Sequence, residues 1–250
     1  MIENKLKATE LIDKALAREG YESFAVVGRK GAGKTTYAVK VATQLYQMRG
    51  YGEDSAYKLA LKVLLFDKNE IIAFLKHNAG RQQAILIWDD ARAHGSAMGY
   101  LTQPRETQIL LGLMDTARDS VASVILTSPS TKGLLGFLKN EEGWLIKVTK
   151  SRIANWRDGT SYQRYELPSG QMRIAKKYID QFHRMLPSDI YQAIKEKRRH
   201  YKDIIIKNLE DRIKTSNEIM AKKYAREKAL LEQDGNLETE EEEGSEEEHD

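Results

Sequence analysis

Short apolar runs alternate with stretches whose apolar residues recur at helical spacing through the first 150 residues. Residues 2–19 put Ile2, Leu6, Leu11, Ile12, Ala15 and Leu16 on one side of a helix that stops at Gly20. The run 22–27 (ESFAVV) predicts a buried strand, and a glycine-rich turn follows it. A helix over 33–49 comes next, with Ala38, Val41, Ala42, Leu45 and Met48 in register and Gly50 as its stop. Helices over 53–62 and 68–78 flank the short apolar run 63–66. Residues 83–88 (QAILIW) predict a strand ending in Asp89 and Asp90, and 91–103 reads as a loop. Pro104 opens a helix through 119, whose apolar face is Ile109, Leu110, Leu113 and Met114. Residues 121–127 (VASVILT) predict a strand, 130–140 a helix and 144–148 (WLIKV) another strand.

Strands alternating with helices imply an α/β fold, a parallel sheet flanked by helices. After residue 150 the pattern changes. Residues 151–175 are polar, basic and aromatic, with turn signals at Asp158-Gly159 and Pro168-Ser169-Gly170, which predict one or two β-hairpins. A long, charged helical stretch runs from 187 to 231, and 232–250 is low in complexity and expected to be disordered. The expected organisation is therefore an N-terminal helix (1–19), an α/β domain (20–150), a basic hairpin and helical region (151–231) and an acidic tail (232–250).

Charge sharpens this division. The formal net charge of +3 averages two unlike regions, because residues 232–250 carry eleven acidic side chains and no Lys or Arg. Residues 1–231 then hold 40 basic residues against 26 acidic ones. A basic body with an acidic tail points to a polyanionic partner, with the tail competing for the same surface. There is no cysteine, which excludes disulfides and thiolate metal sites. The charged N-terminus does not read as a signal peptide, and no window offers the roughly 20 apolar residues of a membrane-spanning helix. The expectation is a soluble protein of the host cytoplasm with no membrane contact.

The strongest chemical signal is Gly28-Arg29-Lys30-Gly31-Ala32-Gly33-Lys34-Thr35, which fits G-x-x-x-x-G-K-[ST] between a predicted strand and a predicted helix. Such a loop turns successive backbone N–H groups into one concavity at a helix N-terminus, where phosphates bind. Gly28, Gly31, Ala32, Gly33, Lys34, Thr35 and Thr36 are the expected nucleotide contacts, and the fold expected is a P-loop NTPase. Lys34 would reach the β- and γ-phosphates, and the Thr35 hydroxyl would ligate Mg²⁺. The strand ending at Asp89 is expected beside the strand that precedes the glycine loop. Asp89 would then hold the metal, and Asp90 either orients the attacking water, as a carboxylate in that place could, or caps the following turn.

Further candidates follow from position. Thr127 and Ser128 end a strand, either as a polar group that meets the γ-phosphate or the lytic water or as ordinary strand-end residues before the turn at Pro129. Arg118 ends a predicted helix; it is either a cation at a helix C-terminus or an arginine finger acting on a neighbouring subunit, which would imply a homo-oligomer. Arg92 and Arg105 are rivals for that role. Lys150, Arg152, Trp156, Arg157, Tyr162, Arg164, Tyr165, Arg173, Lys176 and Lys177 mix cations with aromatics, as nucleic-acid surfaces do. Lys195, Lys197, Arg198, Arg199 and Lys202 form a second basic cluster on the expected C-terminal helix, either a further nucleic-acid surface or, with Glu196, Asp203, Glu210 and Asp211 interspersed, a solvated, salt-bridged face. The five histidines show no metal-ligand spacing. No N-K-x-D pattern for guanine recognition is present, which favours ATP.

Residues 20–150, from Tyr21-Glu22-Ser23 through Lys34-Thr35-Thr36-Tyr37-Ala38, the apolar-Asp-Asp motif at 85–90, Arg118 with 124–130, and Gly143-Trp144-Leu145-Ile146, resemble the P-loop ATPases of fuselloviruses and related plasmids of hyperthermophilic archaea. That family is described as DnaA-like. The resemblance implies an ATPase of a mobile element acting on DNA, in replication initiation or helicase loading. Two other expectations stand beside it: a HerA/FtsK-like or Zot-like DNA translocation or packaging motor, and an ATP-gated DNA-binding protein with negligible turnover.

Overall fold

A computed structural model describes residues 5–91, 112, 116–130 and 143–243. Helix α1 (Lys7–Ala17) precedes strand β1 (Glu22–Val27), and the glycine loop leads into α2 (Lys34–Met48). Helix α3 (Glu53–Lys62), strand β2 (Leu64–Leu65), helix α4 (Lys68–His77) and strand β3 (Leu86–Trp88) follow. A 3₁₀ turn (Ala117–Asp119) leads to β4 (Ser123–Ser128), and then come β5 (Gly143–Lys150), β6 (Trp156–Glu166), β7 (Met172–His183) and α5 (Ser188–Glu243). The expected loop over 91–103, most of the expected helix over 104–119 and the expected helix over 130–140 fall outside the described residues.

All seven strands form one mixed sheet in the order β2-β3-β4-β1-β5-β6-β7. Strands β1 to β5 pair in parallel, and β6 and β7 extend the sheet antiparallel. Every residue of β4 is buried, from Ser123 to Ser128, as expected of an inner strand covered on both faces. One face packs Leu65, Ile71, Leu75, Leu86, Trp88 and Leu126 into a single apolar cluster. Helix α2 contributes buried Tyr37, Ala38, Val41, Ala42 and Leu45. Helix α4 is set by a capping box, the Asp67 carboxylate accepting from the Asn69 amide while Glu70 reaches back to the Asp67 amide.

Three sequence expectations need correction. Strand β3 is not beside β1, because β4 lies between them, pairing Ile87 with Ile125 on one side and Phe24 with Ile125 on the other. Asp158-Gly159 is not a turn but the middle of β6, where Gly159 pairs with Val148 and Asp180. A Cβ on Gly159 would come within 3.1 Å of the Tyr37 ring, so the glycine answers a packing need. The β5–β6 turn instead uses Asn155 at φ 64°, a conformation Asn tolerates. Helix α5 also continues to Glu243, so helical backbone enters the acidic segment expected to be disordered, whose glutamates are good helix formers.

The chain divides into two compact units, residues 1–198 and 199–250. Within the first, α1 is held by a cap from far along the chain. Its N-cap residue, Leu6, offers no side-chain acceptor, and Asp180 of β7 takes the Lys7 amide on Oδ1 at 2.8 Å. Asp180 Oδ2 accepts from the buried Tyr37 hydroxyl at 2.6 Å. Burial raises the Asp180 pKa above the ordinary carboxyl range, against the pull of the Tyr37 and backbone hydrogen bonds. The folded state therefore holds this proton more tightly than the unfolded chain. Its contribution to stability is greatest in acid and is lost as pH rises from 3.8 through the raised value. Asp180→Ala, which leaves Tyr37 and the Lys7 amide without their acceptor, should cost about 2–4 kcal/mol in denaturant titration. Asp180→Asn should cost less at neutral pH and flatten the stability–pH slope over that acidic window.

Candidate functional site

Parallel register brings the carboxyl ends of the inner strands to one edge of the sheet. Val27 pairs with Ser128 and Lys147, and Trp88 pairs with Leu126. The residues that follow these strands, Gly28 to Thr35 after β1 and Asp89-Asp90 after β3, therefore face each other across the end of β4. In open α/β sheets this edge is where ligands bind.

The glycine loop is shaped by two constraints. Gly28 passes so close to β5 that a Cβ would lie 2.6 Å from the Val148 carbonyl oxygen. Gly31 and Gly33 have φ of 74° and 101°, the left-handed region that glycine enters without cost. Gly33 then starts α2 with no side-chain cap and no acidic residue in the first turn. The first amides of α2 are left for an anion, and the helix dipole favours one there. Lys34 spans the loop, its Nζ donating to the carbonyls of Gly28 at 3.0 Å and Arg29 at 3.2 Å. Burial lowers its pKa, Asp89 and Asp90 oppose that, and Arg198 adds to it.

Asp89 is the junction of the site. It is 3% exposed, and its Oδ1 accepts from the Thr35 and Thr127 hydroxyls, both at 2.6 Å. Thr127 in turn accepts from the Asp90 amide at 2.9 Å. That bond fixes the backbone at Asp90, which sits at φ 55° with its side chain exposed. The structure thus brings Gly28, Gly31, Ala32, Gly33, Lys34, Thr35, Thr36, Asp89, Asp90 and Thr127 to one edge of the sheet. Arg118 is not brought there. It lies in the 3₁₀ turn before β4, at the opposite end of the strands, and its exposed side chain is within 4.0 Å of Asp119. Arg92 and Arg105 lie outside the described residues.

Two arginines that the sequence reading gives to a nucleic-acid surface belong to this site instead. Arg157 of β6 is buried, and its Nε donates to the Ala32 carbonyl at 3.1 Å, bracing the loop. Arg198 of α5 donates from Nη2 to Asp89 Oδ2 at 2.8 Å and to Thr35 Oγ1 at 2.5 Å. Lys197 is likewise withdrawn, its Nζ donating to the Leu61 and Leu64 carbonyls at 2.7 and 3.2 Å. Arg198 and Thr35 are 163 residues apart, and no local pattern marks the pairing.

A cleft of about 650 Å³ opens from the loop, lined among others by Lys34, Thr36, Arg157, Arg184, Tyr191 and Arg198. That volume suits a small-molecule ligand. Chemically, the site offers uncapped amides and cations to an anion, and hydroxyl and carboxylate oxygens to a hard cation. Among the described residues no three His, Cys, Asp or Glu side chains cluster as a metal cage. No helix of the described residues is long and apolar enough to cross a membrane.

Loop geometry yields a test that needs no ligand. Gly28→Ala forces a methyl group against a β5 carbonyl, whereas Gly31→Ala meets open space and bears only the left-handed backbone cost of about 1–2 kcal/mol. Gly28→Ala should therefore lower the urea midpoint more than Gly31→Ala.

Comparison with known proteins places the chain among relatives from archaeal viruses. No protein-family model matches it. It is 25% identical over 130 residues to the uncharacterized protein ORF286 of Acidianus two-tailed virus, covering 52% of this chain and 44% of that protein. It is 30% identical over 210 residues to the uncharacterized protein B-251 of Sulfolobus spindle-shape virus 1, covering 79% of this chain and 82% of that one. The chain, with its Gly28–Thr35 loop facing Asp89 across one sheet edge, belongs to the viral protein family of B-251.

Proposed function

We propose that the chain is a Mg²⁺-dependent ATP-binding protein and ATPase of a P-loop type that acts on DNA of a viral mobile element, in replication initiation or helicase loading. One observation carries the reading. The glycine loop, the uncapped N-terminus of α2, Lys34, Thr35 and Asp89 converge on one edge of the sheet, with Thr35 Oγ1 2.6 Å from the Asp89 carboxylate. A triphosphate needs amides and a lysine, and its metal needs a few hard oxygens. Mg²⁺ keeps several waters and takes few protein ligands, so Thr35 and Asp89 fit it without a larger cage. The absence of an N-K-x-D pattern favours adenine over guanine.

In this reading the residues divide the work. The amides of 31–36 bind and orient the phosphates. Lys34 leaves the Gly28 and Arg29 carbonyls for phosphate oxygens, and Arg157 keeps the loop in shape from Ala32. Thr35 and Asp89 would hold Mg²⁺, which would supply neutralising positive charge to the phosphates. Thr127 holds Asp89 and the Asp90 backbone in one arrangement. The exposed Asp90 carboxylate accepts a hydrogen bond from water and aligns it for attack.

The DNA part rests on the β6–β7 hairpin. Arg173, Lys176 and Lys177 are exposed on it, with Tyr165 and Ile174 beside them. Such a surface pairs phosphate neutralisation with apolar contact.

Steady-state ATP hydrolysis, with and without duplex DNA, tests the whole reading. The wild-type protein should turn over ATP faster with DNA, and Lys34→Ala should abolish turnover. Asp90→Ala should retain ATP binding and lose at least about tenfold in rate, given the size of general acid–base effects. Lys176→Glu with Lys177→Glu should keep basal turnover and lose the stimulation. ATP binding with no turnover under any condition would favour an ATP-gated DNA-binding protein, and unchanged turnover in Lys34→Ala would overturn the site.

A further inference from the structure

Arg198 contacts the two residues that the ATPase reading assigns to the metal. Its Nη2 lies 2.8 Å from Asp89 Oδ2 and 2.5 Å from Thr35 Oγ1, and its Nε lies 3.2 Å from the same Asp89 oxygen. A Mg²⁺ ion sits roughly 2.1 Å from its ligand oxygens. A guanidinium nitrogen at hydrogen-bond distance from both residues fills the space such an ion would need, and its like charge repels one. Arg198 and the metal therefore cannot hold this pair of oxygens together.

We propose that Arg198 is a latch on the nucleotide site: its guanidinium takes the cation position on Thr35 and Asp89, and it must withdraw for a Mg²⁺–nucleotide to bind. The proposal rests on the ATP-binding reading of the Gly28–Thr35 loop. Three features on α5 make the latch specific. Ile190 and Ile194, each 4% exposed, bury the apolar stripe of the helix one and two turns before Arg198. Lys197, adjacent to Arg198, donates from its side-chain Nζ to the carbonyls of Leu61 and Leu64 and so anchors this turn of the helix. The Arg198 side chain itself remains about half exposed, at 49%, beside the cleft that also borders Lys34 and Thr36. The helix is anchored on both sides of the site, while the arm that reaches Asp89 and Thr35 borders the open cleft into which it can withdraw. Thr35 Oγ1 and Asp89 stay hydrogen-bonded to each other, so release of Arg198 leaves the metal oxygens already in place.

The latch makes a prediction that separates it from a phosphate-binding arginine. An arginine that grips phosphate strengthens nucleotide binding with or without metal, and its loss weakens both. A latch lowers only the metal-dependent affinity, by the fraction of molecules in which it is open. The experiment is a titration of a fluorescent ATP analogue into wild type, Arg198→Ala and Arg198→Gln, in Mg²⁺ and in EDTA, with Lys34→Ala alongside. The ratio of Kd in EDTA to Kd in Mg²⁺ should rise about tenfold in Arg198→Ala, as for a latch closed in about nine molecules of ten. Arg198→Gln, which keeps an amide donor for Asp89 without the charge, should move the ratio the same way. A ratio unchanged or lowered in both variants, while wild type binds and Lys34→Ala does not, overturns the latch and leaves the ATP reading standing. No binding by wild type in either buffer overturns both.

Discussion

The Asp89 carboxylate is the point on which the arrangement depends. It is almost wholly removed from water, and a buried carboxylate is costly unless its lone pairs are taken. Here they are taken by Thr35 at the start of α2, Thr127 at the end of β4 and Arg198 on α5. One charge therefore ties the loop after β1, the inner strand β4 and the first turns of α5, through Arg198, to the end of β3. Thr35 and Thr127 hold Oδ1 from within the fold, whereas Arg198 meets Oδ2 from the side of the cleft. This is why the site reads as a preorganised unit and not as four neighbouring side chains.

The sheet order explains why Thr127 has this role. With β4 interposed between β3 and β1, the gap between Asp89 and the glycine loop is spanned by the last residues of β4. A hydroxyl there reaches both Asp89 and the amide of Asp90, whereas an apolar residue would leave the carboxylate short of a donor. On the other side of β1, the close approach of Gly28 to the Val148 carbonyl lets β5 support the loop from beneath. From β6, Arg157 then closes the loop at Ala32. The added antiparallel strands thus do more than widen the sheet.

Much of this was legible in the sequence because it rests on local signals. Apolar runs and helical spacing locate α2, α3, α4 and the parallel strands to within a few residues, since those patterns are dictated by burial on one face or both. The glycine spacing and the two aspartates mark the loop and its partner, because left-handed backbone and strand-end carboxylates leave few alternatives in residue type. What stayed hidden depends on distance along the chain. Nothing near Arg198 distinguishes it from Lys195 or Arg199, and its role appears only in the hydrogen bonds that it makes to Asp89 and Thr35. Asp158-Gly159 carries a turn composition for a packing reason, the Tyr37 ring, that no local reading detects. Strand order was equally opaque, because β3 and β4 offer the same unbroken apolar run.

The central claim is that the backbone amides of the glycine loop and the start of α2 hold the phosphates of ATP. Amide hydrogen exchange, residue by residue, with and without Mg²⁺ and ATP, tests it most directly. The account predicts that exchange at residues 31–36 slows at least about tenfold on adding nucleotide, because each bound amide loses its access to water. Slowed exchange elsewhere in the protein, with residues 31–36 unchanged at saturating ATP, would contradict it.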